Sequence, residues 1–592
     1  MTESQEHGQS PQKILYGHPL LGDMTGILNR DGKVTQFRAV PFAHVPARFR
    51  QAVLLENTNG KRDFTEYGYS RVCMQRPVCP QPCDPPFLKG EAYGGLLPPT
   101  TYTFDEFACL NLTITLPTSL LQGPEANHKN LPVMVWIHGG GLKTGGGANY
   151  GVEDCANFVE HSIAIGKPII TVAIQYRLGA FGFLASREII EEGKQREEPI
   201  GNYGFWDVIC GFDWVHKFVP GLGGDVENIT AFGESAGGVT LSYLIASDGH
   251  GRKLFKRAIL QSGVGTVMPL NTIADEQPVF NMLYKAIAGT TFFASPSSKV
   301  AKLRELPAEK IVDAKLPYTK CRPYVDGVLF PKAWKLDDIC SKTYECDWLE
   351  SILVGDCAFE GSLFRPLYDQ VFDMLSNPNY ILQELLLTIF GEETGSKIPN
   401  ILRAFNLEIY ASKPVSKLAT GLSYITHFIA SKIFQIPRAA EDHILRFCHL
   451  MGAIIFHTHT YKLARWEGEK KYEIPAYLYH FDKTNPFPER AYQGYSHHFV
   501  DLLYLFQNLN SRIAQLDNIK NSHERQVCEL NTAQNLASKW IEYAYGIKPW
   551  DKDKVGVLGH SEDAGQWVVL TDEEDKAKYG RKLDAWKSIM YP

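Results

Sequence analysis

The chain has 592 residues, 44% of them hydrophobic, 12% aromatic and 21% charged, enough apolar material for a large core and unlike a fibrous or disordered protein. Its 60 basic and 66 acidic residues leave a formal net charge of −6 with no Lys/Arg block of the kind that follows phosphates, so nucleic acid is not an expected partner. No run of about 18 apolar residues is uninterrupted; the best, SIAIGKPIITVAI, is broken by Gly166, Lys167 and Pro168, and no membrane span is expected.

The first residues, MTESQEHGQSPQK, are polar and carry no apolar centre of a secretory signal; residues 1–13 are expected to be disordered and the protein cytoplasmic. Cys73, Cys79, Cys83 and Cys109 cluster so that an oxidising compartment would close a surface loop with them, but free thiols are the expectation here. The twelve cysteines form no CxxC pair, so no structural metal is expected. Two glycosylation sequons, at Asn111 and Asn228, fall in or beside apolar runs, and burial should keep both unmodified.

Short, nearly unbroken apolar runs follow: PVMVWIH (132–138), PIITVAIQY (168–176), NITAFG (228–233), RAILQSG (257–263), SILVGD (351–356) and PAYLYHF (475–481). Such runs read as strands covered on both faces. Between them Phe205, Val208, Ile209, Phe212 and Val215 recur at helical spacing. Strands alternating with helices predict an α/β architecture, a mostly parallel, doubly wound sheet. No linker or repeat appears, so residues 14–592 read as one domain, with a helical excursion at about 365–450, including YILQELLLTIF, capping one end of the sheet.

Two loops carry chemistry. PVMVWIH runs into Gly139-Gly140-Gly141, and backbone amides approach a ligand closely only where side chains are absent, so this turn suits an oxyanion hole. A phosphate loop is excluded because 141–144, Gly-Leu-Lys-Thr, is out of the required frame. The glycines beyond 141 are expected to form a mobile rim. NITAFG then leads into Gly233-Glu234-Ser235-Ala236-Gly237 and an apolar stretch, GGVTLSYLIAS. A GxSxG string alone arises by chance; between strand and helix it forms the sharp turn that presents a nucleophilic serine at a helix N-terminus. A serine also needs a base. His457 and His459 in IIFHTHTYK raise a metal site, but with no third ligand in view they are read as residues of a helix or strand face.

At this point the chain resembles the type-B carboxylesterase and cholinesterase family of α/β-hydrolases, from about residue 20 to about 510. The likeness rests on ordered stretches: VPFAHVPARF (40–49), VWIHGGG (135–141), QYRLGAFGFLA (175–185), GNYGFWD (201–207), GGDVENITAFGESAGG (223–238), LFKRAILQSG (254–263) and HHFVDLLYLF (497–506). The resemblance implies an α/β-hydrolase fold, Ser235 as nucleophile, Glu360 in VGDCAFEGSLF as the acid and His498, in preference to His497, as the base. It also implies an oxyanion hole from the amides of Gly140, Gly141 and Ala236, with Glu234 and Asp501 as supporting acids, and no cofactor.

Departures from the family stand beside this. Phe107 and Ala108 precede Cys109 where acids are usual, with Asp105 and Glu106 displaced, which leaves the usual anchor to Arg48 open. No tryptophan lies between Cys79 and Cys109 to hold a quaternary ammonium, so choline esters are not expected substrates. Leu142 and Gln175 replace an aromatic and an Asn and suggest an altered pocket shape, while Tyr93, Tyr102, Phe104 and Phe107 are candidates to line a gorge. The expected function is a cofactor-free serine carboxylesterase acting on a small lipophilic ester through an acyl-serine. Alternatives are an acyltransferase or lactone-forming enzyme using the same intermediate, and an adhesion or binding module without activity.

Overall fold

The computed structural model describes residues 12–58, 60–65, 77–82, 103–122, 130–147, 152–194, 196, 198–288, 295–314, 316, 320–365, 398–407, 438–487, 494–519, 523–560 and 563–590. Among the described residues, twelve strands build one sheet. They are β1 (Lys13–His18), β2 (Gly22–Leu28), β3 (Val34–Pro41), β4 (Asn111–Pro117), β5 (Leu131–Ile137), β6 (Ile170–Ile174), β7 (Gly224–Glu234), β8 (Arg257–Gln261), β9 (Ser351–Cys357), β10 (Ala476–Phe481), β11 (Val555–Leu558) and β12 (Trp567–Leu570). Their spatial order is β1-β2-β3-β4-β6-β5-β7-β8-β9-β10-β11-β12. The run from β6 through β11 is parallel, and antiparallel strands close both sides. Lys13, the last residue of the expected disordered start, instead opens β1.

Successive side chains of a strand face opposite ways, and the two core clusters follow that alternation. In β5, Val133, Val135 and Ile137 enter one cluster while Met134 and Trp136 enter the other. The first face is covered by α2 (Tyr203–Phe218) and α3 (Ala236–Ala246); the second by α1 (Ala156–Ala164), α6 (Val500–Leu505) and α7 (His523–Ala544). Every residue of β5, β6, β8, β9 and β10 is buried, as their unbroken apolarity predicts. β1 instead alternates exposed and buried residues.

Of the helical excursion, YILQELLLTIF lies outside the described residues. Its described end is α4 (Arg438–Gly452), which continues through a π-helical turn, Ala453–His457, into α5 (Thr458–Ala464). This element crosses the loop after β9 so closely that a Cβ on Gly361 would stand 1.6 Å from the carbonyl oxygen of Cys448.

Two buried ion pairs fix the loops around the parallel run. Arg177 donates from Nε and Nη2 to the two carboxylate oxygens of Asp207, both at 2.8 Å, and from Nη1 to the carbonyl of Arg50. Glu106 supplies the anchor that its displacement had left open: Arg48 Nε donates to Oε2 at 2.7 Å and Nη2 donates to Oε1. The reach is restored because Asp105 Oδ1 accepts the amides of Phe107 and Ala108, which folds the intervening residues into a turn.

Cys79 and Cys109 are buried free thiols, and the neighbouring Cys79, with burial, pushes the Cys109 thiol well up; Cys73 and Cys83 lie outside the described residues. Asn111 is buried, but Asn228 is only half-buried, correcting the expectation for the second sequon; Asn228 Oδ1 accepts from Arg257 Nη1 at 2.6 Å. Gln175 does not shape a pocket here: it donates to Asn111 Oδ1 at 2.6 Å and to the carbonyl of Pro77. Phe104 is half-buried and Phe107 is 50% exposed, while Tyr93 and Tyr102 lie outside the described residues.

Candidate active site

Parallel strands deliver their following loops to one edge of the sheet. There the ends of β5, β7, β9 and β10 bring Gly139–Gly141, Ser235, Glu360 and His498 together. Ser235 sits between β7 and α3 with φ 53° and ψ −120°, a conformation disfavoured for any residue with a side chain. The neighbouring strand enforces it: the amide of Ser235 donates to the carbonyl of Gln261 at 2.8 Å, continuing the β7–β8 ladder through the turn. A side chain at 237 is impossible, since its Cβ would stand 2.0 Å from the carbonyl oxygen of Ile137 at the end of β5.

That contact also sets the glycine loop beside the serine. A Cβ on Gly139 would lie 3.2 Å from Ser235 Cβ. Gly140, at φ 97°, bends the chain so that its carbonyl accepts the amides of Lys143 and Thr144, both at 3.1 Å. The rim beyond is held: Gly145 donates its amide to Gln81 Oε1 at 2.7 Å and accepts from Gln81 Nε2 at 2.8 Å, which corrects the expectation of a mobile segment there. Leu142, fully buried at φ 60°, passes its carbonyl to the amide of Gly179.

Glu360 and His498 meet because their loops run side by side. Phe359 and His497 form a parallel bridge, the amide of Phe359 donates to the carbonyl of Ser496 at 2.7 Å, and Ser496 Oγ donates back to the end of β10 at Phe481. The outcome is a direct bond from His498 Nδ1 to Glu360 Oε2. Glu360 Oε1 accepts from Ser262 Oγ at 2.5 Å and from the amide of Cys357 at 2.6 Å. Both side chains of the pair are fully buried. His498 is walled by Phe456, from the π-helical turn, with ring centroids 4.9 Å apart, and by Phe499 at 4.3 Å.

The other nitrogen of His498 faces the elbow. Nε2 stands 3.2 Å from Glu234 Oε1 and, among the described residues, makes no hydrogen bond. The adjacent Ser235 side chain is half-buried. With Nδ1 donating to a carboxylate, Nε2 is the free base, and catalytic hydrogen bonds at such sites commonly form only once substrate is in place. Two further acids lie behind. Burial pushes the Glu234 carboxyl well up, with the charges of Asp501, Glu360 and Glu153 adding to it. Burial also raises Asp501, to about 6, against the bond that Gln261 Nε2 donates to Asp501 Oδ2 at 2.7 Å.

His457 and His459 belong to the helical element, as expected. His457 stacks on Trp586 and its Nδ1 stands 3.1 Å from Asp356, while His480 Nδ1 lies 2.6 Å from the other oxygen of that carboxylate. Among the described residues no group of three or more His, Cys, Asp or Glu gathers to hold a metal ion. Sequence reasoning missed Ser262 and Gln261, although both stand in the quoted LFKRAILQSG, directly at the end of β8.

A sequence profile described as the carboxylesterase family matches residues 17–576. Lipase 3 of Yarrowia lipolytica is 29% identical over 556 residues, covering 91% of this chain and 90% of its own length. Lipase 1 of the same organism is 32% identical over 584 residues, covering 96% and 94%. The liver carboxylesterase of Sus scrofa is 27% identical over 78% of this chain and 73% of its own. Among solved structures, juvenile hormone esterase from Manduca sexta superimposes with a TM-score of 0.64 at 20% identity, over 98% of this chain and 99% of its own, which speaks to the fold alone. The fold is that of an α/β-hydrolase, and among the described residues no helix is long and apolar enough to cross a membrane. The chain belongs to the carboxylesterase family and is a serine hydrolase of carboxylic esters.

Proposed function

We propose that Ser235, His498 and Glu360 carry out this hydrolysis, with the amides of Gly140, Gly141 and Ala236 receiving the oxyanion, and that the substrate is a lipophilic ester. As Ser235 Oγ attacks the ester carbonyl, His498 Nε2 takes its proton; the tetrahedral oxyanion forms beside the glycine turn and the first amide of α3. Its collapse breaks the bond to the alkoxide, which leaves with the proton from Nε2 and gives an acyl-serine. Water then repeats the sequence, losing its proton to Nε2, and releases the acid.

Glu360 holds the imidazole with Nδ1 protonated and steadies the cation formed at each transfer. A positioned base contributes about 10²- to 10⁴-fold, and each oxyanion donor about 10²- to 10³-fold. The observation that carries the reading is the bond from His498 Nδ1 to Glu360 at the same sheet edge as the strained Ser235. The names of the relatives, lipase and carboxylesterase, support the choice of a lipophilic ester.

The test is Ser235→Ala, assayed on p-nitrophenyl esters of graded acyl length alongside fluorophosphonate labelling. Hydrolysis should fall by about 10³-fold or more and labelling should vanish while the melting temperature holds. Near wild-type turnover by the alanine variant removes the mechanism.

A further inference from the structure

Two adjacent histidines stand at the site and only one meets Glu360. The other, His497, turns back on the chain: its Nδ1 lies 2.6 Å from the carbonyl oxygen of His498, and its Nε2 lies 3.1 Å from Asn485 Nδ2. A carbonyl only accepts, so Nδ1 carries the proton and Nε2 accepts from the amide. The amide's orientation agrees, because Asn485 Oδ1 is occupied as acceptor by the backbone amide of Phe487. Burial keeps the ring neutral, with its pKa pushed down to about 4, so this arrangement persists at the pH where an ester hydrolase with a histidine base works.

The carbonyl thus captured belongs to an unusual turn. The amide of Val500 donates to the carbonyl of His497 at 3.1 Å, closing residues 497–500. The third residue of that turn, Phe499, has φ 72° and ψ −5°. These are the angles of the third position of a type II turn, where glycine is the usual occupant. A large side chain there is strained, because the left-handed region favours glycine. Relaxation to a type I turn is available by flipping the peptide between His498 and Phe499, which turns the His498 carbonyl away and shifts ψ of His498 by roughly 150°.

We infer that His497 is a positioning residue for the catalytic base: by holding the His498 carbonyl it keeps the 497–500 turn in its type II form, with Phe499 left-handed, and so keeps the His498 imidazole on Glu360. Without the clamp the turn flips, and a displacement of about 1 Å at the base costs about a hundredfold in rate. The inference rests on the assignment of His498 as base, which His498→Gln tests separately, near wild-type kcat in that variant removing the assignment itself.

Two substitutions divide the two bonds of the ring. His497→Asn places an amide N–H where Nδ1 stands and keeps the carbonyl; His497→Gln reaches the Nε2 position and keeps only Asn485. The asparagine variant is expected to hold kcat within about threefold of wild type, while the glutamine variant loses about ten- to a hundredfold with KM within about twofold. Adding Phe499→Gly to the glutamine variant should restore most of the loss, since glycine adopts φ near +70° without a clamp. Equal kcat in the asparagine and glutamine variants, or no gain from Phe499→Gly, overturns the inference. If His497→Gln does not reach the folded state, the His497→Gln/Phe499→Gly pair decides: folded and active supports the clamp, inactive overturns it.

Discussion

Replacing Glu360 by glutamine alters one atom of the proposed triad, and the bonds around that atom fix the consequence. Glu360 Oε1 accepts from two donors, Ser262 Oγ and the amide of Cys357; the serine hydroxyl can turn to accept, but the backbone amide can only donate and excludes an amide NH₂ from that position. The glutamine must therefore keep its oxygen at that position and turn its NH₂ toward His498 Nδ1. That nitrogen then has to accept, the proton moves to Nε2, and the base no longer has a lone pair facing Ser235. An equivalent tautomer reversal in a serine protease lowers kcat about 10⁴-fold, equal to about 5.5 kcal/mol of transition-state stabilisation. The assay is steady-state hydrolysis of p-nitrophenyl butyrate near pH 7.5, with melting temperature as a folding control. KM should stay within about twofold, because no group that contacts the ground state is lost. A Glu360→Gln enzyme retaining kcat within about tenfold of wild type refutes the argument that Glu360 sets the tautomer of His498.

The remaining expectations concern stability. The folded carboxyl of Asp501 sits at about 6, above its ordinary 3.8, so its protonated form is favoured on folding; the stability it contributes is complete below pH 4 and is lost as pH rises through 6. Asp501→Asn should therefore unfold at higher temperature than wild type at pH 8, by an amount on the order of 2 to 3 kcal/mol, and match it near pH 4; a pH-independent difference refutes this. Arg48→Met leaves Glu106 buried without its cation and strips donors from the carbonyls of Leu303 and Leu306. Denaturant unfolding should show a loss of about 3–5 kcal/mol, part of which Glu106→Gln restores in the double variant; equal losses in the single and double variants count against the anchor.

What could be read beforehand was local. Ser235 announced itself because strand, glycines and helix are contiguous, and the glycine turn because it directly follows an apolar run. The central strands were legible for the same reason: burial on both faces erases alternation and leaves an apolar block, whereas the alternating edge strand β1 and the short β11 and β12 escaped notice. Glu360 and His498 are 138 positions apart, and what joins them is a bridge between Phe359 and His497 that has no sequence signature; resemblance alone supplied that pair. The anchor to Arg48 stayed open because the turn made by Asp105 brings Glu106 back into reach by geometry, not by position in a motif. The glycines after 141 looked mobile from composition, and Gln81, more than 50 positions upstream, holds them.

The 2.0 Å approach that forbids a side chain at 237 welds the end of β5 to the first turn of α3. Two sets of amide dipoles, one from each segment, thereby share a single rigid seat. Solvent around a reacting ester in water must reorient as negative charge builds on its oxygen, and that reorientation is a major part of the barrier. In the proposed oxyanion role, the dipoles are fixed by backbone contact before any substrate arrives, so folding would already have met that cost and the oxygen would enter a field set when the chain was built.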